Sequence, residues 1–382
     1  MSDLDLDLGA LVRDPATRVI VTCGSGGVGK TTTAAALALL GAEAGRRTVV
    51  LTIDPARRLA QSMGLTELDN TPREVVGVSN GRLFAMMLDM KRTFDDVVLA
   101  HSTPERAKQI FDNPFYQSLS SSFAGTQEYM AMEKLGQLVS ANEWDLIVVD
   151  TPPSRSALDF LDAPNRLGRF LDGRMIRMIT APARASGKTG LKLMNFSFDL
   201  FAKVFSRVLG GDLIRDLSSF VTALESMFGG FRERAQQTYQ LLKAPGTAFI
   251  VVSAPEPDAL REASYFVERL SDDKMPLAGL VLNRVHRTTA PAADEPLAAG
   301  RAEAVAEYLA NQPPSPATQL AATALRVHAE IARAAEQDAR MSRRFRAAHP
   351  EVAVTEVPAL PVDVHDLDGL RKIGALLGTQ VP

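Results

Sequence analysis

From Gly24 to Thr32 the chain reads Gly24-Ser25-Gly26-Gly27-Val28-Gly29-Lys30-Thr31-Thr32, which brings together the residue types needed to hold a run of phosphates. The glycines let successive backbone N–H groups turn inward around phosphate oxygens, a concavity that side chains would obstruct. The spacing satisfies G-x-x-x-x-G-K-[ST], a pattern that carries weight only between a strand and a helix. Both neighbours are present. Val19-Ile-Val-Thr22 precedes the loop, and the helical run Thr33-Ala-Ala-Ala-Leu-Ala-Leu-Leu40 follows it. The expected ligand is a magnesium nucleotide, ATP, contacted by every residue from Gly24 to Thr32. Lys30 would reach the β and γ phosphates, Thr31 would ligand Mg2+, and the helix N-terminus would add its positive dipole end.

Two acids complete the chemistry. Asp54 lies in Thr52-Ile-Asp54-Pro55-Ala56, and Asp150 ends Trp144-Asp-Leu-Ile-Val-Val-Asp150-Thr-Pro-Pro153. Both close strand-like runs, so they fall on the edge where α/β sheets bind ligands. Asp150 suits holding Mg2+ through water. Asp54 suits positioning the attacking water, with the metal also within its reach; Asp54 and Lys30 are the catalytic candidates. Two plainer readings compete: a helix N-cap ahead of Pro55 for Asp54, and a turn residue for Asp150.

The elements that must position these groups are short aliphatic runs: Val19–Thr22, Thr48–Ile53, Leu83–Leu88, Leu146–Val149, Ala248–Ser253, Leu277–Leu282 and Val352–Thr355. They are continuous rather than alternating, and helical stretches separate most of them, as in a parallel sheet covered on both faces. The expected fold is α/β, a P-loop NTPase with a doubly wound, mostly parallel sheet. Between Leu161 and Lys243 the strand signal stops. Residues 161–243 read as an inserted helical subdomain between a core at 1–160 and its remainder at 244–382. Thr288–Pro316, rich in Ala, Pro and Asp, reads as a mobile connection, and a helix is expected over Ala317–Ala347.

Composition bounds the partners. The 382 residues are 46% hydrophobic and 23% charged, enough for a large core, and the formal net charge is −3. The chain as a whole therefore offers no broad attraction to nucleic acid, which is an unlikely partner. The insertion differs, with 13 Lys and Arg against 7 Asp and Glu. The sole cysteine, Cys23, excludes an internal disulfide framework or a Cys-rich zinc site. The acidic start Met1–Leu8 is unlike a secretory signal, and no run of 18 or more apolar residues follows, so a cytoplasmic location is expected.

Taken together, these residues resemble the arsenical-pump and tail-anchored-protein-targeting ATPases, within the larger class of dimeric ATPases with a deviant phosphate loop. The resemblance spans most of the chain. It rests on Gly26-Gly27-Val28-Gly29-Lys30-Thr31-Thr32, on Asp54-Pro55-Ala56 as switch I, and on Asp150-Thr151-Pro152-Pro153 as switch II. Gly125-Thr-Gln-Glu128 matches a family segment. Asn283 matches the residue that reads adenine, and Pro361, Val362 and Asp363 lie in the late loop that closes over the base. The resemblance implies a dimer, of identical chains or of two related ATPases, that closes on ATP and reopens on hydrolysis.

Three departures qualify it. Ser25 stands where the family typically has a lysine that crosses the dimer to the partner's phosphates, so a stabiliser of developing charge is missing. Arg155 is a candidate substitute, although a solvated surface arginine is the plainer reading. The Cys-x-x-Cys zinc clamp of the targeting branch and the arsenite-binding cysteines of the pump branch are absent, which argues against arsenite. Within the insertion, Leu191–Leu209 places polar residues at Lys192, Asn195, Asp199, Lys203 and Ser206, leaving an apolar arc wider than a core-facing stripe. A groove for a hydrophobic peptide, lipid or small-molecule cargo, a peripheral membrane contact, and burial in the subdomain's own core all fit that pattern. The leading expectation is an ATP-hydrolysing dimeric switch. The alternative is a poorly hydrolysing scaffold that regulates a related subunit.

Overall fold

The computed structural model describes residues 5–54, 58–113, 116–117, 126–152, 233–288 and 297–378. Two compact units divide the chain: Met1–Met86 with Trp144–Ala157 and Lys243–Pro382 form one, and Met87–Glu143 with Leu158–Leu242 form the other.

The first unit is built on eight strands: β1 Val19–Cys23, β2 Arg47–Thr52, β3 Arg73–Glu74, β4 Arg82–Met87, β5 Leu146–Asp150, β6 Thr247–Ser253, β7 Leu277–Val285 and β8 Val354–Pro358. Their order is β3-β4-β2-β5-β1-β6-β7-β8. β1 runs parallel to β5 and β6, and the β2–β5, β6–β7 and β7–β8 pairs are also parallel; β3 and β4 are antiparallel. All seven expected runs are strands. β1, β5 and β6 are buried at every position, which is why they read as unbroken apolar stretches. β3 was not expected, since two residues carry no periodicity.

Helices cover the sheet. α1 (Leu8–Arg13), α2 (Lys30–Glu43) and the C-terminal helix Leu367–Gly378 pack on one another, and α2 lies against β1, β2 and β5. Pro257–Asp272 lies against β6 and β7 and also touches the helix Pro316–Ala348. That 33-residue helix opens on a capping box in which Ser315 and Thr318 each accept the other's backbone N–H. Its bounds agree with the expected Ala317–Ala347. Arg46 pins loops at the amino edge of the sheet, donating to the carbonyls of Val12, Asp14, Thr17 and Asp145.

The expectation of a mobile connection over Thr288–Pro316 is corrected for residues 299–310, while residues 289–296 lie outside the described residues. Ala299–Ala310 is a helix with Ala302 and Ala306 fully buried, packed against Pro316–Ala348. Alanine propensity and small-residue packing outweigh the neighbouring prolines that suggested a linker.

In the second unit, Met90–His101 is N-capped by Asp89, whose carboxylate accepts from Arg92 N at 2.9 Å, and packs on Thr126–Ser140. The buried carboxylate of Glu133 takes the Arg234 Nε from residues 233–242 at 3.1 Å on both oxygens. The Tyr116 hydroxyl donates to Asp95, and burial pushes its pKa up. The apolar arc at Leu191–Leu209, Arg155, and the Gly125–Glu128 segment's glycine lie outside the described residues, as does most of the expected insertion.

Candidate nucleotide site

The sheet reverses direction of winding at β1, and the loop Gly24–Thr32 leaves β1 at that switch point. Lys30 is the first residue of α2, and the N-cap Gly29, at φ 97°, supplies no side-chain hydrogen bond. The first-turn N–H groups are thereby left for an anion. Two glycines are dictated by close approach. A Cβ on Gly24 would lie 2.0 Å from the Val252 carbonyl oxygen of β6, and one on Gly29 would lie 2.3 Å from Asn283 Nδ2 of β7. Gly26 and Gly27 are exposed, Val28 is buried, and Thr32 is half-buried.

Lys30 is buried and donates from Nζ to the Ser25 carbonyl at 2.7 Å, so the loop folds back over its own cation. Burial holds the ammonium below its ordinary pKa, while Asp150, Cys23 and Asp54 favour the charge. The Ser25 hydroxyl is buried and has no hydrogen-bond partner among the described residues.

Asp150 closes β5 with no solvent exposure, and so is no turn residue. In register it faces Thr22 of β1 and Thr52 of β2. Its Oδ2 accepts from Thr31 Oγ1 at 2.8 Å and from Thr52 Oγ1 at 2.9 Å, while Oδ1 is buried without a partner among the described residues. Burial pushes the carboxyl up from 3.8 to about 6 against the pull of these two hydroxyls and of Lys30. An orphaned carboxylate oxygen beside a threonine hydroxyl is a hard-oxygen donor set that fits Mg2+, which takes one or two carboxylates and completes its shell with waters and phosphates. Among the described residues no three His, Cys, Asp or Glu cluster as a metal cage. Asp54 is half-buried; its backbone N donates to Thr52 Oγ1 at 3.2 Å, and its charge is felt at both Lys30 and Asp150.

A cavity of about 480 Å³ runs from Gly29 and Thr32 past Asn283 to Val362 and Asp363. Asn283 Nδ2 donates to the Val28 carbonyl at 2.8 Å, which ties β7 to the loop Gly24–Thr32 beside this cavity. A register shift between Leu282 and Val285, with Arg284 at φ 61°, turns the strand there. Pro361 is exposed and does not line the cavity. Sequence reasoning missed Arg284, His286, Gln337 and Asp338, all of which do. Asp338 is buried, and its Oδ2 meets both the His286 backbone N and Nδ1 at 2.8 Å. An acid in the middle of a long helix carries no pattern that would have singled it out. A larger cavity of about 660 Å³ beside β8, lined by Arg287, Arg343 and Arg346, includes no residue of the phosphate loop.

A mostly parallel sheet with helices packed on it, and a strand, glycine loop and helix meeting at the switch point, define a P-loop nucleoside triphosphatase. The chain belongs to the anion-transporting ATPase family, whose profile matches residues 17–311, and it is accordingly an ATPase. It is 26% identical over 268 residues to ATPase ASNA1 homolog 1 of Paramecium tetraurelia, covering 69% of this chain and 73% of that protein. It is 28% identical over 265 residues to ATPase ARSA2 of Chlamydomonas reinhardtii, covering 69% and 66%. It is 25% identical over 273 residues to ATPase GET3 of Podospora anserina, covering 70% and 73%. Among the described residues, no helix is long and apolar enough to cross a membrane.

Proposed function

We propose that this chain binds Mg-ATP on Gly24–Thr32, closes as a dimer around it, and couples hydrolysis to capture and release of a hydrophobic or small-molecule cargo other than arsenite, in the cytoplasm. The observation that carries the nucleotide half is the shared carboxylate oxygen of Asp150, which gathers Thr31 and Thr52 while its other oxygen stays buried and unmet. Thr31 and Asp150 would hold Mg2+, which supplies charge neutralisation at the phosphates. Lys30, already buried and paired to the loop carbonyl of Ser25, would exchange that carbonyl for phosphate oxygens. Asp54 would orient the attacking water and take up its proton as general base. Asn283 would read the adenine edge with Val362 and Asp363 closing over it. Dimer closure and cargo binding rest on the family resemblance and on the apolar arc of Leu191–Leu209.

A second reading keeps the nucleotide and removes most of the turnover. Ser25 brings a neutral hydroxyl to the position where a cross-dimer cation would stabilise developing charge, which favours a slow switch that regulates a related subunit. Phosphate release by the wild type, Lys30→Ala and Asp54→Asn chains separates the two. The switch expects Mg-dependent wild-type turnover, loss of binding in Lys30→Ala, and binding without turnover in Asp54→Asn. Tight wild-type binding with negligible turnover selects the scaffold, and no ATP binding at all overturns both.

A further inference from the structure

We infer that Thr52 is a positioning residue that ties the segment carrying Asp54 to the carboxylate of Asp150, and through that tie sets the magnesium-dependent part of nucleotide binding. This rests on the nucleotide reading above and adds a residue to it. A threonine hydroxyl has one proton to donate and lone pairs to accept with. The Thr52 proton goes to Asp150 Oδ2 at 2.9 Å, since the alternative acceptor, the Asp54 carbonyl, lies farther away at 3.3 Å. Its lone pair receives the Asp54 backbone N–H at 3.2 Å. One side chain thus holds both acids of the site, Asp150 through its carboxylate and Asp54 through its backbone.

The position is fixed by the sheet. Thr52 is the last residue of β2 and pairs in register with Asp150, the last residue of β5, so the two side chains lie side by side at the carboxyl edge. Thr52 is almost fully buried, which strengthens a hydrogen bond to a carboxylate and makes its loss felt. β2 also contains its own control. Thr48, four residues earlier on the same face, is equally buried, yet its hydroxyl finds no partner among the described residues. Thr48 therefore serves the strand through its β-branched shape alone, while Thr52 has the same shape and a hydroxyl in use.

If Thr31 and Asp150 hold Mg2+, the carboxylate would have to keep its orientation while Thr31 gives a lone pair to the metal. Among the described residues Thr52 is the second donor on Asp150 Oδ2, the one that need not also serve the metal, and any shift it feels would pass to the Asp54 backbone. Its role is exerted through the two acids it holds.

The test compares Thr52→Val, Thr52→Ser and Thr48→Val in the full chain, by titrating a fluorescent ADP analogue with Mg2+ and with EDTA, alongside melting without nucleotide. We expect Thr48→Val to keep the wild-type tightening by Mg2+. Thr52→Val should lose about tenfold of that tightening, while its affinity in EDTA stays within about twofold of wild type. Thr52→Ser should restore most of the loss, and kcat in Thr52→Val should fall by more than KM rises. Thr52→Val behaving like Thr48→Val, or losing affinity equally with and without Mg2+, overturns the inference alone. A wild-type chain that binds no nucleotide overturns the nucleotide reading and this inference with it.

Discussion

Gly29 sits where two constraints meet. Its φ of 97° is left-handed backbone, and the space a Cβ would fill is taken by Asn283 Nδ2 at 2.3 Å. An alanine there must either distort the helix start that bears Lys30 or break the Asn283–Val28 bond that ties β7 to the loop. Gly29→Ala should therefore cut nucleotide affinity by about tenfold or more, and adding Asn283→Ala should not restore it fully, because left-handed backbone still costs roughly 1–2 kcal/mol and the proposed base contact of Asn283 is lost as well. Equilibrium nucleotide binding checks this, and full recovery in the double variant would show that the dihedral does not matter. The loop was legible because its residue types are rare in combination and its spacing is contiguous. Thr52 was not, since a threonine closing a β-strand looks like any β-branched strand residue until the register shows what stands beside it. Asp338 was hidden for the complementary reason: its partner, His286, is 52 residues away in sequence.

At the scale of elements, β1 and the β7–helix junction make separate demands. Cys23 is the last residue of β1, fully buried, with its thiol donating to the Ile250 carbonyl at 3.7 Å. Burial pushes the thiol from 9.0 up to about 12, against the smaller opposing pull of Lys30. A folded pKa raised above the unfolded one contributes stability that is complete below the unfolded value and is lost as pH climbs toward the folded one. Stability should therefore decline as pH rises from 9.0 toward about 12. The urea midpoint should be lower at roughly pH 10.5 than at roughly pH 8, with Cys23→Ala removing part of that decline. Alkylation of Cys23 at neutral pH should proceed only as fast as the chain opens; rapid labelling of native protein would contradict the burial. At the other junction, Asp338 clips the end of β7 to the long helix through two contacts on one oxygen. Asp338→Ala should cost about 1–3 kcal/mol, read as a lower melting temperature, and should raise the KM for ATP while leaving kcat nearly unchanged. The central strands β1, β5 and β6 were legible from sequence as unbroken apolar runs because full burial removes any need for alternation. The helix Ala299–Ala310 was obscured by flanking prolines, although its alanines are what let it pack closely.

For the whole molecule, the site's unmet polar atoms make folding and ligation one equilibrium. Asp150 Oδ1 and Ser25 Oγ are both buried without partners among the described residues. A ligand that satisfies them binds only the folded chain, so saturation at about a hundredfold over Kd should add about 2.7 kcal/mol of stability. Thermal melting should rise by several degrees with Mg-ATP and by less with ATP in EDTA, where the orphaned carboxylate oxygen stays unmet. Assembly makes the sharper demand. If ATP is enclosed between two copies and hydrolysis reopens them, blocking the chemistry while sparing the phosphate contacts should trap the closed form. Asp54→Asn with Mg-ATP should then sediment as a dimer at concentrations where the nucleotide-free chain is a monomer, and Lys30→Ala should stay monomeric. Ser25→Lys tests the same geometry from the other side. A lysine facing its own phosphates would change turnover at any concentration, whereas one that reaches across a dimer should raise turnover per chain only as the chains associate. A monomer with full, concentration-independent turnover in every variant would confine the catalytic apparatus to one chain and remove the reason for closure.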